Sequence, residues 1–218
     1  MQLLALDNET LGWGATPVLS GVSLTVDQGE RIALLGPSGV GKSTLLNAMR
    51  LRMTDRRVAL VPQENGLVAQ LSVFHNVWMG RLDDFGTARN MRTLLWPVGR
   101  ERAEVDADLA RTGLNGLGRR RVSTLSGGQK QRVALSRALL RGGDVVIADE
   151  PVSAVDPAQS RELLSQIEAS FATSILALHD VQLALDHATR IIGLGRGGIV
   201  LDAPSADLTI PDLMGLYA

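Results

Sequence analysis

Gly36-Pro37-Ser38-Gly39-Val40-Gly41-Lys42-Ser43, with Thr44 next in line, has the spacing G-x-x-x-x-G-K-[ST]. Glycines at these positions let successive backbone N–H groups turn towards one point. A helix start just after them adds the favourable end of its dipole, and the two together attract an anion. Lys42 has the reach to meet the outer phosphates of a nucleoside triphosphate, and the Ser43 hydroxyl suits Mg²⁺. The chemistry these residues could do is phosphate binding and phosphoryl transfer.

A second group of candidates is Asp149-Glu150, which closes the apolar run Val145–Ala148. Asp149 stands where a second ligand for that Mg²⁺ belongs, directly or through water. Glu150 then offers a carboxylate able to orient and deprotonate an attacking water. A third group is Leu125-Ser126-Gly127-Gly128-Gln129. Ser126 and Gln129 have capping-box spacing, yet a cap requires neither glycine. Gly127 and Gly128 bare the backbone at a helix start, which makes this a second phosphate-seeking helix end.

These groups need strands to carry them. Ile32–Leu35, Val145–Ala148 and Ile175–Leu178 are short apolar runs without polar alternation, the pattern of strands buried on both faces of a parallel sheet. Each is followed by a polar or glycine turn: Gly36–Gly39, Asp149-Glu150 and His179-Asp180. Val58–Val61, ending at Pro62-Gln63, looks like a fourth member. Ligands in open α/β sheets sit beyond the carboxyl ends of the strands, so one site assembled from distant segments is expected. The run Leu45–Leu51 predicts a helix after the glycine loop. The first 30 residues, with β-prone pieces such as Val22–Val26 and turn glycines, read as mostly antiparallel strand packed on the main sheet. Helical periodicity over Glu101–Thr112, stopped by Gly113, and over Gln129–Arg141, stopped by Gly142-Gly143, marks an inserted helical subdomain.

Composition narrows the class. The chain has 218 residues, 45% of them hydrophobic and 21% charged, and a net charge of −1. That suits one packed domain and removes the electrostatic case for a nucleic-acid coat or a polybasic membrane anchor. The absence of cysteine excludes disulfides, thiolate metal sites and a Cys nucleophile. No apolar run reaches the roughly 18–20 residues that span a bilayer, and the start of the chain lacks a basic region and meets Asp7, so no signal peptide is expected. Arg119–Arg121 reads as a solvated face, and His75 and His187 as structural or exposed residues.

Taken together, these motifs and their order resemble the ATP-binding-cassette (ABC) ATPases over nearly the whole chain. The matching features are the Walker A loop at 36–44, the Gln63 loop, the signature Leu125–Gln129 and the Walker B strand with Asp149-Glu150. Ser153–Asp156 matches the D-loop and His179 the switch histidine. The resemblance implies an α/β P-loop NTPase with a RecA-like, mainly parallel sheet, an N-terminal antiparallel β layer and an inserted helical subdomain. Residues 1–65 and 141–218 would form the catalytic core and about 66–140 the helical part of a single domain, with no regulatory domain after it. It further implies Trp13 stacked under adenine, Gln63 sensing Mg²⁺ and the attacking water, and His179 on the γ-phosphate. Two copies would face head to tail, so that Ser126, Gly127, Gly128, Gln129 and Asp156 of one copy complete the ATP site of the other. Metal ligands would come from Ser43, Gln63 and Asp149. The implied partners are a second copy, membrane permease subunits and, indirectly, a solute-binding protein, with no nucleic acid. The expected location is the cytoplasmic face of the inner membrane, as a peripheral subunit.

Within that family, Gly66–Leu82 and Arg92-Thr93-Leu94-Leu95 resemble the start of the helical subdomain in phosphonate-importer ATPases, which implies uptake of phosphonate or a related oxyanion. Import of another small solute and, further off, action on nucleic acid or ribosomes are the alternatives. Two departures stand out. Gln63 follows Gly36 by only 27 positions, which predicts a reduced strand layer beside the phosphate loop. Gly66 also stands where the phosphonate-type pattern has Asn.

Overall fold

A computed structural model describes residues 1–14 and 16–217. The chain opens with two long antiparallel strands, β1 (Gln2–Trp13) and β2 (Thr16–Asp27), and passes through β3 (Arg31–Leu35) into helix α1 (Lys42–Arg52) and β4 (Val58–Val61). Four helices follow: α2 (Val73–Trp78), α3 (Thr87–Leu95), α4 (Gly99–Arg111) and α5 (Gly127–Arg141). The chain then runs through β5 (Val145–Asp149), α6 (Pro157–Ser170), β6 (Thr173–Ala177), α7 (Val181–His187), β7 (Arg190–Gly195), β8 (Gly198–Pro204) and α8 (Ile210–Met214).

Six strands form one sheet in the order β4-β5-β6-β3-β7-β8, parallel except for the β7–β8 pair. The inner strands β3, β5, β6 and β7 are mostly apolar because both faces are covered, whereas the edge strand β8 is half-exposed. Ile32, Leu34, Val145, Ile147, Ile175, Ala177, Ile192 and Leu194 point one way and pack with α1 and the inner face of β1–β2. Their neighbours Ala33, Leu35, Val146, Ala148, Leu176 and Ile191 point the other way, onto α5, α6 and α7. This period of two, apolar on both faces, is what a buried parallel strand requires. Of the four helices between β4 and β5, α2, α4 and α5 share a core of their own, with Val73, Phe74, Val77, Trp78, Val105, Leu109 and Val133 at its centre.

Several boundaries differ from the sequence reading. The first helix starts at Lys42 rather than Leu45, because the left-handed Gly41 turns the glycine loop directly into helical conformation at Lys42. β6 covers Thr173–Ala177 rather than Ile175–Leu178, although the Leu178 N–H still bonds the Leu34 carbonyl. The N-terminal layer is not a set of short pieces. It is one pair of 12-residue strands, bent by register shifts between Gln2 and Gly12. Only residues 53–57 join α1 to β4, so the short spacing between Gly36 and Gln63 leaves no room for further strands. Strands β7 and β8 and helices α6 to α8 had no counterpart in the sequence reading.

Candidate functional site

The parallel sheet brings the carboxyl ends of β3, β4, β5 and β6 to one edge, and each delivers candidate residues there. From β3 the chain enters the glycine loop. Gly36, Gly39 and Gly41 all have left-handed φ values of 140°, 78° and 115°. A Cβ at Gly36 would lie 2.4 Å from the Leu194 carbonyl oxygen, so only glycine fits there. Helix α1 has no side-chain cap, and the backbone N–H groups of Gly41, Lys42, Ser43 and Thr44 find no acceptor among the described residues. Pro37, Ser38 and Gly39 are exposed, Val40 half-buried. The loop is thus an open ring of donors at a helix N-terminus, suited to an anion of several oxygens.

Lys42 is buried, and its Nζ donates to the loop's own carbonyls, at 2.7 Å to Gly36 and 3.1 Å to Pro37. Burial pulls its pKa below the ordinary lysine value, against the opposing charges of Glu150 and Asp149. The Gly36 N–H donates to the Tyr217 hydroxyl at 3.3 Å, a contact for which sequence gave no signal.

Ser43, Gln63 and Asp149 line one cavity of about 300 Å³ together with Asn47, Arg50 and Pro62. A hydroxyl, an amide oxygen and a carboxylate are hard oxygen donors. A set with few protein ligands and open positions fits Mg²⁺, which keeps most of its coordination for water and phosphate. Trp13 is 59% exposed, and its indole N–H donates to the Thr44 hydroxyl at 3.1 Å. A flat, solvent-facing ring is therefore held at the end of the loop.

At the next two strand ends, Glu150 and His179 meet: the imidazole Nε2 lies against Glu150 Oε1. Glu150 has φ 53°, a left-handed conformation unusual for a residue with a side chain, and its N–H donates to the Ala177 carbonyl. His179 thus sits on the candidate base.

Ser126, Gly127 and Gly128 lie elsewhere. They line a shallow cavity of about 440 Å³ with Ala154, Val155, Asp156 and Gln159, and no residue of the 36–44 loop lines it. Ser126 and Gln129 form the capping box foreseen from their spacing: the Gln129 N–H donates to Ser126 Oγ and the Ser126 N–H to Gln129 Oε1. Asp156 caps α6, its Oδ1 accepting from the Ala158 and Gln159 N–H groups. Gln129 and Asp156 are therefore occupied by caps in the protomer. The outlying histidines behave as structural residues: His75 bonds Ser72 and the Leu94 carbonyl, and His187 bonds Glu168. Arg119–Arg121 is exposed.

One residue of this region, Gln131, escaped the sequence reading. It is buried on α5 and bonds the backbone of Glu150 and Ala154. A signal existed: Gln131 falls in register with Ala134, Leu135 and Ala138 on the apolar stripe of its helix, and a buried polar group there needs partners.

Comparison with known proteins agrees with this geometry. Residues 19–153 match the family model described as ABC transporter. The chain is 35% identical to the phosphonates import ATP-binding protein PhnC of Anaeromyxobacter dehalogenans, over 98% of its own length and 48% of that protein's. It is 38% identical to the protein of the same name from Frankia casuarinae, over 95% and 92% of the two lengths. So the chain spans about half of the first relative and nearly all of the second. Its fold also matches a dimeric ATP-binding cassette solved in a post-hydrolysis state with ADP and phosphate, at a TM-score of 0.77 and 24% identity, over 92% of this chain and 98% of that one. Among the described residues no helix is long and apolar enough to cross a membrane. The chain belongs to the ABC transporter family, as an ATP-binding cassette with ATPase activity.

Proposed function

We propose that this cassette works as a head-to-tail dimer on the cytoplasmic face of the inner membrane. There it would couple ATP hydrolysis to solute uptake through separate permease subunits fed by a solute-binding protein. The observation that carries this reading is the separation of two anion-seeking helix ends. The loop at 36–44 and the glycines at 127–128 line different cavities of one protomer. Each offers half of a phosphate site, and a second copy turned head to tail supplies the missing half.

In each composite site the free amides of the loop and Lys42 hold the phosphates, and Lys42 exchanges its carbonyl partners for phosphate oxygens. The exposed face of Trp13 stacks on adenine. Ser43, Gln63 and Asp149 would hold Mg²⁺, which neutralises charge on the phosphates when bound. Glu150 takes a proton from the attacking water, and His179, lying on its carboxylate, orients it and meets the γ-phosphate. Ser126, Gly127 and Gly128 of the twin close the site, with Gln129 fixing the backbone that presents them and Asp156 helping to set the geometry across the interface. Hydrolysis removes the group both copies grip, and the dimer opens. Residues 66–140, a helical subdomain with its own core, carry that motion to the permease, while 1–65 and 141–218 form the catalytic core.

The solute we assign is phosphonate or a related phosphorus oxyanion. Support comes from the relatives, which are phosphonates import ATP-binding proteins, and from the Gly66–Leu82 segment, which forms the turn after Gln63 and α2. Reconstitution with a phosphonate-type permease and its solute-binding protein tests this reading. ATPase activity should rise on addition of a phosphonate and not of a sugar or amino acid. Stimulation by another solute class would replace the substrate, and stimulation by nucleic acid or ribosomes would replace the transport reading.

A further inference from the structure

Helix α5 carries the signature glycines at its amino end, and two of its side chains reach other loops of the same chain. Gln131 is buried, and both ends of its amide are bonded. Oε1 accepts from the Ala154 N–H at 3.0 Å, so Nε2 must donate, and it donates to the Glu150 carbonyl and to Ser153 Oγ at 3.2 Å. Those bonds hold the carbonyl of the left-handed Glu150 and the turn that follows it; without them this backbone would relax and swing the carboxylate. Two turns along, the Arg137 guanidinium donates 2.7 Å bonds to the carbonyls of Asn65 and Gly66. Both residues have positive φ, and a Cβ on Gly66 would crowd Pro62 at 3.3 Å. With the Asn65 N–H donating to the Pro62 carbonyl, this fixes the turn that presents Gln63. Burial lowers the Arg137 pKa, and no carboxylate pairs with it among the described residues, so its charge serves those two carbonyls.

We propose that Gln131 and Arg137 are positioning residues for hydrolysis. Gln131 fixes the backbone of Glu150, Arg137 fixes the turn bearing Gln63, and α5 thereby sets both groups from the helix whose start closes the twin's ATP site. The inference rests on the reading of Glu150 and Gln63 given above.

The test uses the full chain with Gln131→Met, Gln131→Glu, Arg137→Met and Arg137→Lys. Gln131→Met keeps length and apolar bulk but removes all three bonds. Gln131→Glu keeps the acceptor for Ala154 and sets an oxygen against the Glu150 carbonyl. Arg137→Lys keeps one donor. The expected result is a kcat lowered about tenfold to hundredfold in Gln131→Met, Gln131→Glu and Arg137→Met, with KM for ATP within about twofold, as displaced reacting groups require. Arg137→Lys should recover part of the loss. Hydrogen exchange should quicken at residues 150–154 in the Gln131 variants and at 63–67 in the Arg137 variants, without a matching fall in Tm. Should Gln131→Met not fold, Gln131→Glu carries the same comparison. Near-wild-type kcat in folded Gln131 and Arg137 variants, with Glu150→Gln inactive, overturns the positioning role alone. A fully active Glu150→Gln overturns the underlying reading instead.

Discussion

His179 Nε2 lies against Glu150 Oε1, although the two residues are 29 positions apart and stand at the ends of neighbouring parallel strands. The pairing is made by the sheet: Asp149 is in register with Ala177, so the residues that follow each strand emerge side by side. A carboxylate held this way has one oxygen fixed and one free for water. Replacing Glu150 by Gln should lower kcat by about 10²–10⁴-fold while ATP binding persists, the loss typical of a missing general base. His179→Ala should lower kcat as well, with KM for ATP little changed. Steady-state hydrolysis beside equilibrium binding of a fluorescent ATP analogue checks both.

The sequence carried this pairing only in outline. The glycine loop, Asp149-Glu150 and Ser126–Gln129 were readable because their chemistry constrains residue type over a few positions, and the strands before them because burial on both faces leaves unbroken apolar runs. What escaped depends on long-range packing. β7 and β8 form an antiparallel pair broken by Gly193, Gly195 and Gly198, with β8 half-exposed, so no strong periodicity marks them. The contact of Tyr217 with Gly36 spans 181 positions and has no local trace. Gln131 was hidden differently: it reads as one more polar residue in Gln129-Lys130-Gln131-Arg132, and only the helix phase set by Ala134 and Ala138 turns it inward.

Trp13 presents an exposed ring beside the phosphate loop, tethered through Thr44. Stacking on adenine is worth about 1–3 kcal/mol per base. Trp13→Ala should therefore weaken ATP binding about tenfold to hundredfold, whereas Trp13→Tyr should stay close to wild type because any large ring can stack. Intrinsic fluorescence titrated with ATP should show quenching that is lost in the variant. Unaltered affinity in Trp13→Ala would remove the ring from the site.

Glu101 is 1% exposed and binds the Val98 N–H, the Thr93 hydroxyl and the Arg92 guanidinium, joining α3 to α4. Burial pushes its pKa up, but these donors outweigh it and hold the carboxyl below its ordinary value. A carboxylate with a depressed folded-state pKa stabilises the fold above its unfolded-state pKa, and the contribution fades as pH falls through the folded value. Glu101→Gln should cost about 1–3 kcal/mol at pH 7, and the gap to wild type should narrow as pH drops below the carboxylate range. Urea unfolding at pH 7 and at progressively more acidic values measures it. A gap independent of pH would assign the loss to packing.

Apart from these, the proposed composite site makes one demand of the protein in solution. Glu150→Gln should bind ATP without releasing the γ-phosphate, so the grip of both copies should persist. Light scattering on this variant should give twice the protomer mass with Mg-ATP and the protomer mass without nucleotide. A second change, Ser126→Arg, should abolish the doubling while ATP still binds. A variant that binds ATP tightly and remains at the protomer mass, alone and with its permease, would contradict a nucleotide held between two copies.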